Sequence, residues 1–258
     1  MPLPACHEVS APAAWQCIEF ISDLHLSPAT PRTFDAWSSY LHDTEADAVY
    51  MLGDVFEAWV GDDGANEPGS FEQRCADVLR SATQRRTIGF MAGNRDFLVQ
   101  PGFLAGLGVE ALPDPTLLRA FGERLLLTHG DLLCLSDSAY QAFRRQVRSP
   151  SWQQAFLARP LTERRALARQ MREASQASQR NMPPHAWSDV DNDAAADWLR
   201  AAHTPVMVHG HTHRPAQHVL PFGTRHVLSD WDFDVPAPRA DLLRWTRDGL
   251  SRQAVPAP

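Results

Sequence analysis

The 258-residue chain contains no lysine, and all 24 of its cationic residues are arginine. Without lysine, the chain cannot use a P-loop lysine, a Schiff-base lysine or the strand lysine of protein kinases. Several classes of nucleotide-binding and carbonyl chemistry are therefore excluded at the outset. We attribute the absence of lysine itself to genome composition and give it no functional meaning.

Cysteine is also scarce, and its spacing shows no pairing motif. The four cysteines are Cys6, Cys17, Cys75 and Cys134. No C-x-x-C pair occurs, so neither a zinc ribbon nor a disulfide framework is indicated. We expect these residues to act as small apolar side chains in a reducing compartment.

Long hydrophobic runs are missing as well. No uninterrupted apolar run approaches the ~20 residues needed to span a bilayer. The first cation of the chain is Arg32, so its beginning lacks the positive region of a signal peptide. We therefore expect a cytoplasmic protein that is soluble or peripheral on a membrane. An apolar fraction of 44% and a charged fraction of 21% are typical of a globular fold of this length.

The net charge of -7 is distributed unevenly along the chain. The segment Tyr140–Met182 contains nine arginines against Glu163 and Glu173, a local balance of +7, so the remaining residues carry -14. An acidic body with one basic segment predicts two functions, one of them an interaction with an anionic partner.

Short apolar runs alternate with helical patterns in the first half of the chain. Cys17–Ile21, Ala48–Leu52 and Thr87–Ala92 are candidate strands, and Phe34–Leu41 and Phe71–Arg85 are candidate helices. This alternation predicts βαβ units and a largely parallel sheet. Ligands of such sheets bind at the carboxyl ends of the strands.

The second half of the chain shows a different pattern. Thr116–Phe121 and Arg124–Thr128 flank Gly122–Glu123 and are predicted to form a hairpin. Val206–His209 is a further strand, and three more short strands are expected between residues 217 and 247. The two ends, residues 1–14 and 253–258, are rich in alanine and proline and are expected to fray.

Polar residues able to bind a metal follow the predicted strands in five blocks. The blocks are Asp23-Leu24-His25, Gly53-Asp54, Gly93-Asn94-Arg95-Asp96, His129 and Gly210-His211-Thr212-His213. Carboxylate, amide and imidazole donors without thiolate suit Mn²⁺, Fe²⁺ or Zn²⁺ better than Ca²⁺ or soft metals. A single D-x-H or H-x-H pair is more often a surface feature. Five blocks in order at strand ends indicate a metal site.

The ordered blocks resemble the calcineurin-like metallophosphoesterase superfamily, whose pattern is D-x-H, G-D, G-N-[HR]-[DE], H, G-H-x-H. The resemblance implies an α/β fold, a four-layer αββα metallophosphoesterase sandwich. It implies one domain over residues 1–258 with a helical insertion over about 137–182. Two divalent ions are expected, one held by Asp23, His25, Asp54 and His213 and the other by Asp54, Asn94, His129 and His211. Asp54 would bridge them, and Asp96 would orient a histidine rather than bind metal.

Longer strings around these blocks narrow the resemblance. The strings are 53–63, 94–98, 129–131 followed by Asp137 and 140–144, and 209–215, and they closely resemble the UDP-2,3-diacylglucosamine hydrolases of lipid A biosynthesis. That family implies Mn²⁺-dependent attack of water at the α-phosphorus, which releases UMP and 2,3-diacylglucosamine 1-phosphate. Catalysis would involve Asn94, Arg95 and His211, and substrate contacts would come from Asn94, Arg95, Asp137, Ser175 and His211. Two positions depart from the family, since Gln179 and Met182 replace the usual asparagine and lysine.

The resemblance also implies partners and a location. We expect a nucleotide-sugar lipid substrate, an anionic membrane surface at the cytoplasmic face of the inner membrane, and a monomer. Nucleic acid is disfavoured because a body at -14 repels a long polyanion. A broad-specificity phosphodiesterase or protein phosphatase on the same metal core is the alternative enzyme. A non-catalytic scaffold is disfavoured because every metal ligand is present.

The basic segment reads as a helical insertion, 137–181, interrupted at Pro150 and Pro160. We expect its arginines, Arg164 and Arg165 among them, to favour an anionic membrane by about 1 kcal/mol each. Its apolar residues could receive acyl chains or could simply pack the insertion onto the body. They are Tyr140, Phe143, Val147, Trp152, Phe156, Leu157, Leu161, Leu167 and Met171.

Overall fold

Two six-stranded sheets form the framework of the chain. The computed structural model describes residues 1–180 and 188–256, and the side chains of residues 175–180 lie outside that description. The strands are β1 (His7–Ser10), β2 (Ile18–Ile21), β3 (Ala48–Leu52), β4 (Thr87–Met91), β5 (Glu110–Leu112), β6 (Thr116–Ala120), β7 (Glu123–Thr128), β8 (Val206–His209), β9 (Ala216–Val219), β10 (Thr224–Val227), β11 (Asp241–Thr246) and β12 (Gly249–Ala254). The helices are α1 (Pro31–Asp43), α2 (Phe71–Ala82), α3 (Pro101–Gly106), α4 (Ser138–Val147), α5 (Pro150–Leu157), α6 (Leu161–Arg180) and α7 (Asn192–Ala201).

The strand order explains how distant ligand blocks meet. One sheet has the order β12-β11-β2-β3-β4-β5 and the other β1-β6-β7-β8-β10-β9. Strands β2 to β5 run parallel and are connected by α1, α2 and α3, as the alternation predicts. The register pairs Ile21 with Met51 and Leu52 with Met91, so the carboxyl ends of β2, β3 and β4 lie at one edge.

Apolar side chains divide the fold into four layers. Phe20 of one sheet and Leu127 of the other belong to a buried cluster between the sheets. Trp37 of α1 packs on the outer face of the first sheet, and Trp198 of α7 packs on the outer face of the second. Helix, sheet, sheet and helix therefore succeed one another, and the expected αββα sandwich is confirmed.

The two ends of the chain differ from the prediction. Residues 7–10 form β1, which pairs in parallel with β6, and residues 249–254 form β12, which pairs with β11. The expectation of fraying is wrong for residues 7–10 and 253–254, because backbone pairing to an existing sheet stabilises strands of weak composition. The turn of the second hairpin is Arg247-Asp248, and Asp248 followed by Gly249 at φ 108° is a sequence signal for it.

Helices α4, α5 and α6 form the insertion, residues 138–180, which follows β7. Pro150 is the first residue of α5, and Pro160 immediately precedes α6, so both prolines mark helix boundaries as expected. Within the described ranges, every helix is too short or too polar to cross a bilayer.

Arginines of the insertion point towards acidic groups of the body. Arg144 Nε lies 2.7 Å from Asp131 Oδ2. Arg165 contacts Glu67 at 2.7 Å and Glu72 at 3.2 Å. Part of the uneven charge of the sequence is thus complementary charge across an internal contact.

The expectation that Arg164 faces a membrane is wrong. Its side chain is 2% exposed, and its guanidinium donates to the carbonyl of Val60 and to the carboxylate of Asp63. The charge of Arg165 is compensated by two carboxylates of the body. Neither arginine is free to attract anionic lipid.

Most of the apolar residues of the insertion serve packing. Val147 and Phe156 are buried, and Trp152, Leu157, Leu161 and Leu167 are partly buried, the last four against the core beneath α1 and α2. Phe143 and Met171 are 38% and 39% exposed. The packing alternative therefore holds for the majority, and these two remain available to another apolar surface.

Replacing Arg164 by Ala should weaken the packing of the insertion on the body. The substitution removes a buried guanidinium and leaves the carbonyl of Val60 and the carboxylate of Asp63 without their donor. We expect a loss of about 1–3 kcal/mol in the free energy of unfolding, with faster amide hydrogen exchange in α6. Arg159→Ala is the control, since the exposed pair of Arg159 with Glu163 at 3.6 Å should contribute little. If both variants keep wild-type exchange in α6, Arg164 does not anchor the insertion.

Candidate metal centre

The loops that follow β2 and β3 are hydrogen-bonded to each other beyond the strands. Asp23 N donates to the carbonyl of Gly53 and His25 N to that of Asp54, both at 3.0 Å. From the second sheet, His211 N donates to Asp23 Oδ2 at 2.8 Å. The backbone therefore fixes residues of three ligand blocks against one another at the junction of the two sheets.

The first donor group consists of Asp23, His25 and His213. His25 Nε2 lies 3.1 Å from His213 Nε2, which lies 3.3 Å from Asp23 Oδ1. Asp23 Oδ2 already accepts hydrogen bonds from Ser22 Oγ and His211 N, whereas the buried Oδ1 has no hydrogen-bond partner. An unpartnered carboxylate oxygen facing two imidazole nitrogens fits a divalent cation.

The second donor group consists of Asp54, His129 and His211, with Asn94 beside them. Asn94 Oδ1 is 3.0 Å from His129 Nε2 and 2.9 Å from His211 Nδ1. His129 Nδ1 lies 2.9 Å from the carbonyl of Leu52, so the proton on Nδ1 is held and Nε2 is free to bind metal.

The amide of Asn94 provides a test of this arrangement. Turned by 180°, it would donate from its nitrogen to Asp54 Oδ2 at 3.2 Å and accept from Arg95 Nε at 3.2 Å. Hydrogen bonding alone favours that reversed amide, whereas a cation between the two imidazoles requires the oxygen there. The donor set therefore fits an oxygen- and nitrogen-binding divalent metal.

Backbone strain is concentrated at these residues. Seven non-glycine residues of the described chain have positive φ, and five of them belong to the two groups. The five are Asp23, His25, Asp54, His211 and His213. Such conformations cost of order 1–3 kcal/mol each and persist where surrounding structure enforces them. A Cβ on Gly93 would lie 2.2 Å from Asp54 Oδ1, so only glycine permits this close approach.

The pKa shifts follow from burial and from crowding of charge. Burial opposes charge on Asp23, but His213 and the neighbouring imidazoles hold the pKa of its carboxyl below its usual range. Burial also opposes charge on His129, yet Asp54 and Asp23 raise its pKa to about 9. Burial, followed by His129, lowers the pKa of His211 to about 4. Positive charge on the imidazoles thus balances the buried carboxylates, and a bound divalent cation would replace that charge.

Two residues next to the blocks have roles other than metal binding. The carboxylate of Asp96 accepts from the backbone amides of Val55 at 2.8 Å and Gly93 at 2.7 Å, so the expectation that it orients a histidine is wrong. It joins the loops after β3 and β4 instead. His209 is buried with Nδ1 2.9 Å from the carbonyl of Gly210, and burial lowers its pKa to about 3, as expected for a packing residue.

The remaining predicted site residues are distributed as follows. Arg95 lies beside the second donor group, with Nε 3.8 Å from Asp54 Oδ2. Its Nη1 is buried and makes no hydrogen bond. Asp137 is the N-cap of α4 and accepts from Tyr140 N at 2.9 Å, so its described contact is local. The side chain of Ser175 and that of Gln179 lie outside the described residues, as does Met182.

The sequence motifs miss two acidic residues that support the histidines. Asp230 Oδ2 lies 3.7 Å from His213 Nδ1, and Glu57 Oε2 lies 3.4 Å from His25 Nδ1. Asp230 follows β10, so the rule that polar residues gather after strands could have identified it. Glu57 lies within the string 53–63, but no motif assigns it a function.

Comparisons with known proteins agree with this geometry. The profile of the calcineurin-like phosphoesterase family matches residues 18–215. The chain is 43% identical over 221 residues to a UDP-2,3-diacylglucosamine hydrolase of Chromobacterium violaceum, covering 83% of this chain and 90% of that one. It is 42% identical to the protein of that name from Stenotrophomonas maltophilia strain R551-3 (91% and 98% covered) and 44% identical to that of Bordetella pertussis (89% and 91%).

Proposed function

This chain belongs to the calcineurin-like phosphoesterases and, within them, to the UDP-2,3-diacylglucosamine hydrolases, and on that premise we propose its reaction and the roles of its residues. It is an enzyme, a metal-dependent hydrolase. Its reaction is hydrolysis of the pyrophosphate bond of UDP-2,3-diacylglucosamine by attack of water at the α-phosphorus, which gives UMP and 2,3-diacylglucosamine 1-phosphate. The observation that carries the proposal is the pair of donor groups lying beside Arg95.

We assign the donor groups to two cations. The mixed oxygen and nitrogen donors suit Mn²⁺, Fe²⁺ or Zn²⁺, and among these we take both ions to be Mn²⁺, as the family resemblance implies. Asp23, His25 and His213 would hold one ion and Asn94, His129 and His211 the other, with Asp54 shared between them. When bound, the ions polarise the phosphoryl group and lower the pKa of the attacking water.

The protein contributes fixed positive charge and hydrogen-bond donors to the same reaction. The guanidinium of Arg95 lies between Asp54 and Glu57, with Nη1 3.6 Å from Glu57 Oε1, and we assign it to the diphosphate because a guanidinium can bind two phosphate oxygens at once. Together with Asn94 and His211 it stabilises the charge of the transition state. The leaving group is itself a phosphate, so little general-acid assistance is required.

We assign recognition of the lipid to the insertion, within one domain over residues 1–258 and a lid over about 137–182. Asp137 and Ser175 contact the sugar, and the exposed Phe143 and Met171 contact acyl chains or bilayer. Arg145 and Arg169 are exposed on the insertion and carry the attraction to anionic lipid. The enzyme then acts as a monomer at the cytoplasmic face of the inner membrane, without a nucleic-acid partner.

The substrate assignment is tested by comparing UDP-2,3-diacylglucosamine with bis-p-nitrophenyl phosphate. We expect kcat/KM to favour the lipid by at least ~100-fold, or about 2.7 kcal/mol of transition-state stabilisation. Release of UMP and of nitrophenol measures the two rates in the same Mn²⁺ buffer. Equal or greater kcat/KM for the soluble diester would support the broad-specificity alternative instead.

The bridging role of Asp54 predicts that Asp54→Ala removes both ions. Wild-type protein should bind two Mn²⁺ per chain by calorimetry, and the variant fewer than one, with turnover reduced at least ~100-fold. Asp77→Ala is the control, because Asp77 is exposed and paired with Arg80 at 2.6 Å. If Asp54→Ala retains one ion at wild-type affinity, Asp54 serves a single group and does not bridge.

The membrane assignment predicts that replacing Arg145 and Arg169 together by Glu weakens binding to vesicles of anionic lipid. The effect should diminish as salt rises, since exposed charges are screened within about 10 Å at 0.1 M salt. Arg80 and Arg119 replaced together by Glu give the same change in net charge outside the insertion, and we expect vesicle sedimentation to remain at wild-type level. Equal loss in both double variants would indicate a net-charge effect without a membrane-binding surface.

A further inference from the structure

One carboxylate, that of Glu57, joins three parts of the molecule. Oε2 lies 3.4 Å from His25 Nδ1, and Oε1 lies 3.6 Å from Arg95 Nη1. Oε1 also accepts a hydrogen bond from Nε of Arg172, which belongs to α6 of the insertion. A proposed metal ligand, a proposed catalytic arginine and the insertion therefore share one acid.

The orientation of His25 depends on which of its nitrogens is held. Nε2 faces the first donor group, 3.1 Å from His213 Nε2. Nδ1 is buried and makes no hydrogen bond. Glu57 Oε2 lies 3.4 Å from it. A histidine that binds metal through one nitrogen needs its other N–H held by an acceptor. Glu57 is placed to be that acceptor.

The backbone gives Glu57 a fixed position relative to His25. Leu26 N donates to the carbonyl of Val55 at 2.9 Å, and Glu57 N donates to the carbonyl of Leu26 at 3.0 Å. The pairing of the two ligand loops thus continues up to Glu57 itself. Its side chain is only about a quarter exposed, at 26%, although it carries a full charge.

Arg172 extends this arrangement to the insertion. A second contact of the same helix, from Arg165 to Glu67 and Glu72, reaches acids that touch none of the proposed ligands in the described structure. The contact through Glu57, by contrast, connects the docking of α6 to the geometry of the donor group. Glu72 therefore holds α6 alone, whereas Glu57 both holds α6 and faces His25, so the two acids can be compared.

We infer that Glu57 is a positioning residue, which orients His25 towards its cation and holds the insertion above the metal centre through Arg172. This inference rests on the proposed metal centre. It assigns one carboxylate to two tasks, so that the same substitution disturbs both the first donor group and the seating of α6.

Calorimetric titration of the whole protein with Mn²⁺ tests the inference without relying on activity. We expect Glu57→Ala to lower the affinity for one of the two ions by about 10–100-fold and to leave the affinity for the other ion at the wild-type value. Glu57→Gln should weaken the same ion less, because its carbonyl oxygen still accepts from His25 Nδ1. Amide exchange in α6 should accelerate in both variants.

Glu72→Gln is the matched control, since it removes a charge that pairs with α6 but contacts no ligand. It should leave both ions at wild-type affinity. If Glu57→Ala binds both ions with wild-type affinity, the inference is overturned. It is also overturned if the affinity for both ions falls equally and the Tm falls with it. If Glu57→Ala does not fold, the selective weakening in Glu57→Gln decides the question. A wild-type protein that binds no Mn²⁺ would instead overturn the metal centre.

Discussion

Negative charge buried where the two sheets meet is the constraint on which the rest of the structure depends. Asp23 is fully buried and Asp54 is 2% exposed, and both lie among imidazoles rather than in water. Burying such carboxylates is costly unless cations or N–H donors surround them. The chain supplies donors from its own strained loops, with five ligand positions at positive φ, and these loops are held by the sheets behind them. The energy of the hydrophobic layers thus maintains the strained loops that carry the donor groups.

The parts of this fold that follow from local pattern could be predicted from the sequence. The strand Ala48–Leu52 agrees at both ends, because a short apolar run between helical patterns has one consistent interpretation. The ligand blocks follow from the same rule, since parallel register brings strand ends together. β1 could not be predicted, because its stability comes from pairing with β6, more than 100 residues away. Glu57 was missed for a similar reason, since its importance lies in the histidine that it faces, whereas the strand-end rule could have identified Asp230 after β10.

The distribution of charge along the sequence says less about the partner of the basic segment than the ion pairs of the fold do. A balance of +7 over Tyr140–Met182 indicates an anionic partner, but it does not say whether that partner is a membrane or the body of the same protein. The structure shows that much of it is the body. Arg144, Arg164 and Arg172 contact Asp131, Asp63 and Glu57, respectively. Part of the acidic excess outside the insertion and part of the basic excess within it therefore meet across one contact.

These contacts also explain why a lipid substrate is compatible with a metal core shared by enzymes of many substrates. The insertion reaches the loops that carry the ligands: Arg148 donates to the carbonyl of Gly93 at 2.8 Å, and the hydroxyl of Tyr140 donates to Asp131 at 2.5 Å. The ring of Tyr140 lies 5.9 Å from that of His211. The insertion thus contacts the loops that carry the donor groups, which places its residues beside the proposed reaction site. A substrate whose remote parts engage the insertion can then use that binding energy to orient its diphosphate. A small soluble diester has no such parts, and the same metal ions would act on it without that orientation.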